Sequence, residues 1–335
     1  MEAVVKANLS QLLLAWYQCH GRNLPWRFKD GAQADPYVIL VSEFMLQQTT
    51  VKTVIPYFHR FMARFPTVQD LARAPIEEVY QLWQGLGYYN RARSLHATAQ
   101  MIVYEYGGIF PSTRAEVLKL KGIGPYTVAS FLALAFNQPE TVIDGNVMRI
   151  ITRFYHLSQP IEQIKGIIYQ KASALISHSH AADYTSAIMD LGATICTPKK
   201  PQCLLCPWQN YCLSKDLPDV EHIPQRKKPA KKEQISAVYL IYNHAGQLLI
   251  RQRTERGLLS GLYEFPWGNN YHFNQEPYDT GLTVTHVFTH IKLILHIYKL
   301  YYLQSPLDDG FFVSPLELKN YAFSTLMKKV WQKAA

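Results

Sequence analysis

Apolar side chains recur at helical spacing from Leu12 to about Gln209. Val51, Val54, Ile55, Phe58, Phe61, Met62 and Phe65 form one such stripe, with steps of three and four that place them on a single helix face. This pattern predicts a mostly α first domain. The opening segment, Met1 to Arg22, sets Glu2 and other polar residues among Leu12, Leu13, Leu14 and Trp16, which predicts an amphipathic helix and not a signal peptide. From Leu217 the pattern changes to Pro218, Pro224 and Pro229 mixed with Arg226, Lys227, Lys228, Lys231 and Lys232, the composition of an exposed linker. Beyond it, Ile235 to Arg253 is β-rich with a turn at Asn243 to Gly246, and Thr283 to Leu303 reads as another pair of strands. The expected organisation is a helical domain over 1–216, a basic linker over 217–233 and a β-rich domain over 234–335.

Composition narrows the function. With 335 residues, 48% of them hydrophobic, the chain can bury two cores and is not disordered as a whole. A net charge of +9 suits a polyanionic partner, since each phosphate paired with Lys or Arg releases counterions. No apolar run reaches the length that crosses a bilayer. Of five cysteines, four fall between Cys196 and Cys212, unlike the dispersed framework of a secreted protein. A reducing cytoplasm, with association to the nucleoid through DNA, is the expected location. Cys19 stands apart and is expected to be a small buried apolar residue.

Three stretches carry candidate chemistry. Cys196, Cys203, Cys206 and Cys212 are separated by six, two and five residues, so one compact loop can gather four thiolates around an iron–sulfur cluster or a zinc ion. Thr113 to Phe136 reads as helix, Lys121-Gly122-Ile123-Gly124-Pro125 turn, helix. Gly122 and Gly124 let the backbone approach a phosphate, and Pro125 opens the second helix where its missing N–H costs nothing. Asp144, in Val142-Ile143-Asp144-Gly145-Asn146-Val147, precedes a further helix and is a natural N-cap. Glu43 is expected in the first turn of a helix, where an acid suits the macrodipole. The polar run Gln47 to Thr50 then breaks the apolar pattern, as where a helix end meets solvent or a ligand.

Val41-Ser42-Glu43 with Met45-Leu46-Gln47-Gln48-Thr49, Leu82-Trp83-Gln84-Gly85-Leu86-Gly87-Tyr88-Tyr89, the Gly-Ile-Gly turn, Ile143-Asp144-Gly145-Asn146-Val147 and the four-cysteine loop together resemble the MutY family of adenine DNA glycosylases. The resemblance implies a mainly α fold, a six-helix-barrel module with a helix-hairpin-helix and iron–sulfur module, followed by a C-terminal α+β Nudix-like domain. It implies a [4Fe-4S] cluster on Cys196, Cys203, Cys206 and Cys212, and a DNA repair hydrolase acting as a monomer on duplexes containing A:8-oxoguanine or A:G mispairs. By the same resemblance Glu43 is the acid at adenine N7, Asp144 is the negative charge beside the sugar, and Tyr126 and Asn146 support them. Gln48, Thr49, Leu86 and Tyr88 match positions that wedge the duplex and contact the opposite base. Arg22, Leu24, Trp26 and Ser186 match positions lining the adenine pocket.

In the last domain, Gly261-Leu262-Tyr263-Glu264-Phe265-Pro266 and His286-Val287-Phe288-Thr289-His290 resemble the family's Nudix-like part, with Phe288, Thr289 and His290 on its 8-oxoguanine-reading loop. The chain departs from the family pattern at three places. Thr289 stands where Ser is usual, Ser186 where Gln or Glu is usual, and Gly268 to Thr285 is too short for the usual helix. Rival readings fit less well. A bifunctional lyase such as endonuclease III carries a nucleophilic Lys where this chain has Tyr126, and Lys121 lies on the wrong side of the turn. Against a thymine-mismatch glycosylase stand Glu43 in its Gln-Gln-Thr context and the second domain. A Nudix phosphohydrolase needs clustered acids, and between Gly261 and Gly281 only Glu264, Glu276 and Asp279 are acidic. A lesion binder without catalysis would not need Glu43 and Asp144 intact.

Overall fold

The helix-spaced stripes become helices in the computed structural model, which describes residues 2–28, 34–225, 232–255, 257–269, 271, 273–288, 290–301 and 310–335. In chain order they are α1 (Glu2–His20), α2 (Pro36–Leu46), α3 (Val51–Arg64), α4 (Val68–Arg73), α5 (Ile76–Trp83), α6 (Asn90–Tyr104), α7 (Arg114–Val117), α8 (Pro125–Phe136), α9 (Gly145–Phe154), α10 (Ile161–Ser173) and α11 (Ala181–Thr194). Strands follow: β1 (Lys232–Tyr242), β2 (Leu248–Gln252), β3 (Tyr263–Glu264), β4 (Tyr278–Val287), β5 (Ile291–Tyr301) and β6 (Phe311–Val313), then α12 (Thr325–Ala334). The chain divides into two units, Met1–Ala72 with Ala97–Lys227, and Arg73–His96 with Lys228–Ala335.

In the first unit, Leu9, Leu13 and Tyr17 repeat every four residues along α1 and are buried with Ile150, Ile151, Ile164, Ile168 and Leu191. Trp208 is 1% exposed in the same cluster, and its indole N–H donates to the Leu9 carbonyl at 2.8 Å. Burying side chains of this size contributes about 1.5–3 kcal/mol each. The expected stripe on α3 is confirmed, with Val54, Phe58, Phe61 and Phe65 buried.

Three local expectations are corrected. Cys19 is exposed, because it lies two residues past Tyr17 and two residues turn an α-helix to its far side. Glu43 is not in a first turn: α2 begins at Pro36, with Asp35 accepting from the Tyr37 N–H at 2.8 Å, so Glu43 sits near the end of the helix. The Asp-Pro pair was the start signal. The segment after Leu217 is not wholly exposed: Ile223 is buried and its carbonyl accepts from Arg153 Nε at 2.9 Å.

The second unit is built on a mixed sheet ordered β3-β2-β1-β5-β4, with β6 paired to β2. β1 and β5 run parallel from Lys232↔Ile291 to Tyr242↔Tyr301, while the other pairings are antiparallel. Alternation sends Val238 and Leu240 to one face, against Leu326, Met327 and Val330 of α12. Tyr239 and Ile241 go to the other, under Tyr271, Phe273 and Tyr298. The expected absence of a helix between Gly268 and Thr285 holds for the described residues. This unit also takes in residues 73–96. Gln81 and Gln84 donate to the carbonyls of Asn320 and Phe323 at 3.0 and 3.1 Å, and Gly261, at φ +84°, lies so close to Tyr80 that an added Cβ would stand 2.6 Å from its hydroxyl.

Candidate active site

One helix end and two helix starts bring Glu43, Tyr126 and Asp144 together. Glu43, near the C-terminal end of α2, is 6% exposed. Burial pushes its carboxyl up to about 7; Ser130 and Arg27 pull it down, and the Asp144 charge pushes it up further. Desolvation dominates because a carboxylate loses its hydration shell there and gains no full replacement. Tyr126, second residue of α8, faces both acids: burial first, then the charges of Glu43 and Asp144, raise its phenol well above the ordinary range. Glu43, Tyr126 and Asp144 therefore share one electrostatic neighbourhood.

Asp144 caps α9, accepting from the Asn146 and Val147 amides at 2.8 and 2.6 Å. The Asn146 side-chain amide donates to its other oxygen at 3.0 Å. The cap holds the carboxylate in one orientation. Asn146 is held in turn by Arg149, which donates to Asn146 Oδ1 at 2.8 Å, to the Gly192 carbonyl at 2.7 Å and to the Cys196 carbonyl at 2.7 Å. A chain of hydrogen bonds thus runs from Asp144 to the first cysteine of the loop.

The four cysteines form no disulfide and line one small cavity with Arg153, Pro201 and Val220. Arg153 fixes the loop, donating to the Thr197 and Pro198 carbonyls at 2.6 and 2.9 Å. Burial pushes Cys203 and Cys212 up, and Cys206 to about 12, so a bound cation is needed to keep such thiols as thiolates. Among the described residues no three His, Cys, Asp or Glu are placed to hold a single metal ion. Four cysteine sulfurs lining one cavity match the donor set that would hold an iron–sulfur cluster through its thiolates.

The hairpin forms as expected, with α7, a turn, and α8 starting at Pro125. Gly122 has φ +73°, and a side chain at Gly124 would meet no atom within 4 Å, so the turn is open to a phosphate. Gln48 is exposed at φ 58° between α2 and α3, with Thr49 beside it. Leu86 and Tyr88 belong to the second unit. Tyr88 is 49% exposed, but Leu86 is only 5% exposed and is buried as it stands. Trp26 and Ser186 line a common cavity with Arg27, Ile39 and Phe136, without Arg22 or Leu24. Leu24 is buried. In the second unit, Phe288 and His290 flank the β4–β5 turn, the Phe288 amide donating to the Ile291 carbonyl at 2.7 Å, and Thr289 lies outside the described residues. Glu264 is buried against Arg251, Arg253 and Trp267, while Glu276 and Asp279 are exposed.

Asp190, Arg27 and Ser130 escaped the sequence reading. Asp190 is fully buried and binds the Arg22 backbone N–H and guanidinium at 2.8 and 2.7 Å and Arg27 at 3.0 Å. It thereby holds Arg27, whose charge reaches Glu43. Ser130 Oγ stands beside Glu43 and Tyr126 but forms no hydrogen bond of normal geometry.

Residues 41–177 match the HhH-GPD superfamily of base excision DNA repair proteins, residues 196–212 the iron–sulfur binding domain of endonuclease III, and residues 237–333 the NUDIX domain. An adenine DNA glycosylase of Rattus norvegicus is 35% identical over 96% of this chain and 76% of its own. Another, of Homo sapiens, is 33% identical over 96% and 72%. Among solved structures, a thermostable thymine-DNA glycosylase superposes with TM-score 0.55 at 29% identity, covering 63% of this chain and 96% of its own. Endonuclease III in a non-covalent DNA complex has the same helical fold, at TM-score 0.52 and 21% identity, covering 64% and 96%. No described helix is long and apolar enough to cross a membrane. Likeness of this extent to curated relatives places the chain in the adenine DNA glycosylase family, as a base-excision repair enzyme with a helical helix-hairpin-helix fold, a [4Fe-4S] cluster and a C-terminal Nudix-like domain.

Proposed function

We propose that the enzyme is a monofunctional glycosylase that flips adenine out of A:8-oxoguanine and A:G mispairs and hydrolyses its bond to the sugar. The observation that carries the reading is the buried Glu43 carboxyl, pushed up to about 7 and set beside Asp144 and Tyr126. A purine leaves through an oxocarbenium-like state, so the base must be protonated and the sugar's positive charge countered. Glu43 delivers its proton to adenine N7, the C1′–N9 bond breaks with its electrons going to the base, and Asp144 faces the cationic sugar. Water then adds to C1′ and gives its proton to the Glu43 carboxylate, which restores the acid. Tyr126 and Asn146 hold the two acids. Extruding the base costs a few kcal/mol, and Gln48, Thr49 and Tyr88 fill and read the gap. Leu86 joins them only if its loop opens. Trp26 and Ser186 receive the adenine, with Arg22 and Leu24 behind them.

Gly122 and Gly124 take a backbone phosphate, and Phe288, Thr289 and His290 read the oxidised guanine. Cys196, Cys203, Cys206 and Cys212 hold the cluster, which cross-links the loop that Arg149 ties to Asn146. The helical catalytic part is taken as 1–216, and the protein as a monomer in the cytoplasm, at the nucleoid. The test is single-turnover excision from A:8-oxoguanine, A:G and A:T duplexes. Excision from both mispairs, faster opposite 8-oxoguanine, is expected, and equal rates on all three would overturn the reading.

A further inference from the structure

Ser130 sits on α8 one turn after Tyr126, so the two side chains share a helix face. Its neighbours Ala129, Phe131, Leu132 and Ala133 are apolar and buried. A hydroxyl in such a stretch ordinarily bonds back to the carbonyl of the preceding turn. Ser130 does not: its Oγ is fully buried and meets no partner at normal hydrogen-bond geometry, a state that native interiors rarely tolerate. The Glu43 carboxyl from α2 and the Tyr126 phenol both stand beside it. Hydrogen bonds in catalytic sites are often long before substrate arrives and tighten in the complex.

We propose that Ser130 is a positioning residue for base excision: its hydroxyl accepts from Tyr126 and donates to Glu43, aiming the Glu43 carboxyl at the departing base. The proposal rests on Glu43 being the acid. The groups facing Glu43 are Ser130 and Tyr126 from α8, Arg27 ahead of α2 and Asp144 ahead of α9. Of these, the Ser130 hydroxyl and the Arg27 charge favour the carboxylate, whereas burial and Asp144 favour the neutral acid. Loss of the hydroxyl therefore moves the proton onto Glu43 more firmly while leaving the carboxyl less well aimed.

The experiment measures single-turnover excision of adenine opposite 8-oxoguanine across pH 5–9 for the full-length, cluster-loaded protein and for Ser130→Ala, Ser130→Cys and Glu43→Gln. In Ser130→Ala the alkaline limb should move up by about half to one pH unit, the loss of one ordinary hydrogen bond, and the plateau rate should fall about threefold to tenfold. Ser130→Cys, a weaker donor of similar shape, should fall between. Melting temperature should hold or rise in Ser130→Ala, because an unpaired buried hydroxyl is removed. A rate loss with an unshifted limb, or no change at all, overturns the proposal while leaving Glu43 as the acid. An alkaline limb that survives in Glu43→Gln overturns the assignment of Glu43 and the proposal with it.

Discussion

Glu43 sets how the site responds to pH. Its carboxyl, raised by burial from 4.5 to about 7, must be protonated to act as an acid, so excision should be fastest below about pH 7 and decline above it. Linkage has the same sign for stability: between pH 4.5 and 7 the folded state holds a proton that the unfolded chain has released, so the stability contributed is full at low pH and is lost as pH rises through 7. Glu43→Gln should then cut excision by at least ~10²-fold yet raise the melting temperature more at pH 8 than at pH 5. Melting curves at both pH values, with excision rates, check this. Equal shifts at the two pH values would mean that the carboxyl does not titrate in that window.

Tyr126 makes a second test at the same scale. A phenol held neutral by burial offers no amine for a Schiff base, so borohydride should trap little covalent adduct and strand breaks should appear only after alkali. Efficient trapping abolished by Lys121→Ala would contradict it. Glu43 and Asp144 were legible as residues because each lies in a distinctive local motif. Asp190 and Ser130 were not. Asp190 matters through Arg27, 163 positions away, and a serine inside an apolar helix carries no spacing signal, so only the fold could show what surrounds them.

At the scale of elements, α9 carries the site's order. It begins at Asp144, and one turn later Arg149 reaches the Gly192 and Cys196 carbonyls. Gly192 is where α9 and α11 meet: a Cβ there would lie 2.6 Å from Asn146 Cβ. Gly192→Ala should therefore overpack the contact, costing about 1–3 kcal/mol, and lower excision by moving Asn146 from Asp144, while Gly166→Ala, where a Cβ meets nothing within 4 Å, should not. Thermal melts and excision rates of the pair decide it, and a Gly192→Ala protein with unchanged excision would show that Asp144 does not depend on Asn146. Helix starts were partly readable: Asp144 and Gly124-Pro125 gave true starts. Asp35-Pro36 is the start of α2, and its apolar first half, with Tyr37, Ile39, Leu40 and Val41 buried, gives no helical stripe from which to place Glu43 because nearly every position is apolar.

For the whole molecule, the change from helix to strand spacing points to a helical fold followed by a β-rich one, and both are present, while the basic run over 226–231 lies outside the described residues. What the order of residues along the chain did not show is that residues 73–96 pack with the sheet, because hydrogen bonds such as Gln81 to Asn320 span 239 positions. Cutting the chain near Pro224 should thus cost stability as well as preference for 8-oxoguanine, since Gln81, Gln84 and Tyr80 lose their neighbours. Phe288→Ala and His290→Ala in the full chain should reduce the A:8-oxoguanine over A:G rate ratio while leaving the melting temperature nearly unchanged. A ratio that survives both substitutions would place lesion reading elsewhere.

Gly261 turns this packing into a rule for recombination between relatives. At φ +84°, and with the Tyr80 hydroxyl 2.6 Å from where a Cβ would stand, the loop before β3 needs glycine at 261 and fits the side chain at position 80 closely. A chimera joined at residues 217–233 would inherit Tyr80 from one parent and its counterpart loop from the other, and would succeed only where both parents share the same notch. The exchangeable cassette is discontinuous: residues 73–96 must travel with 228–335.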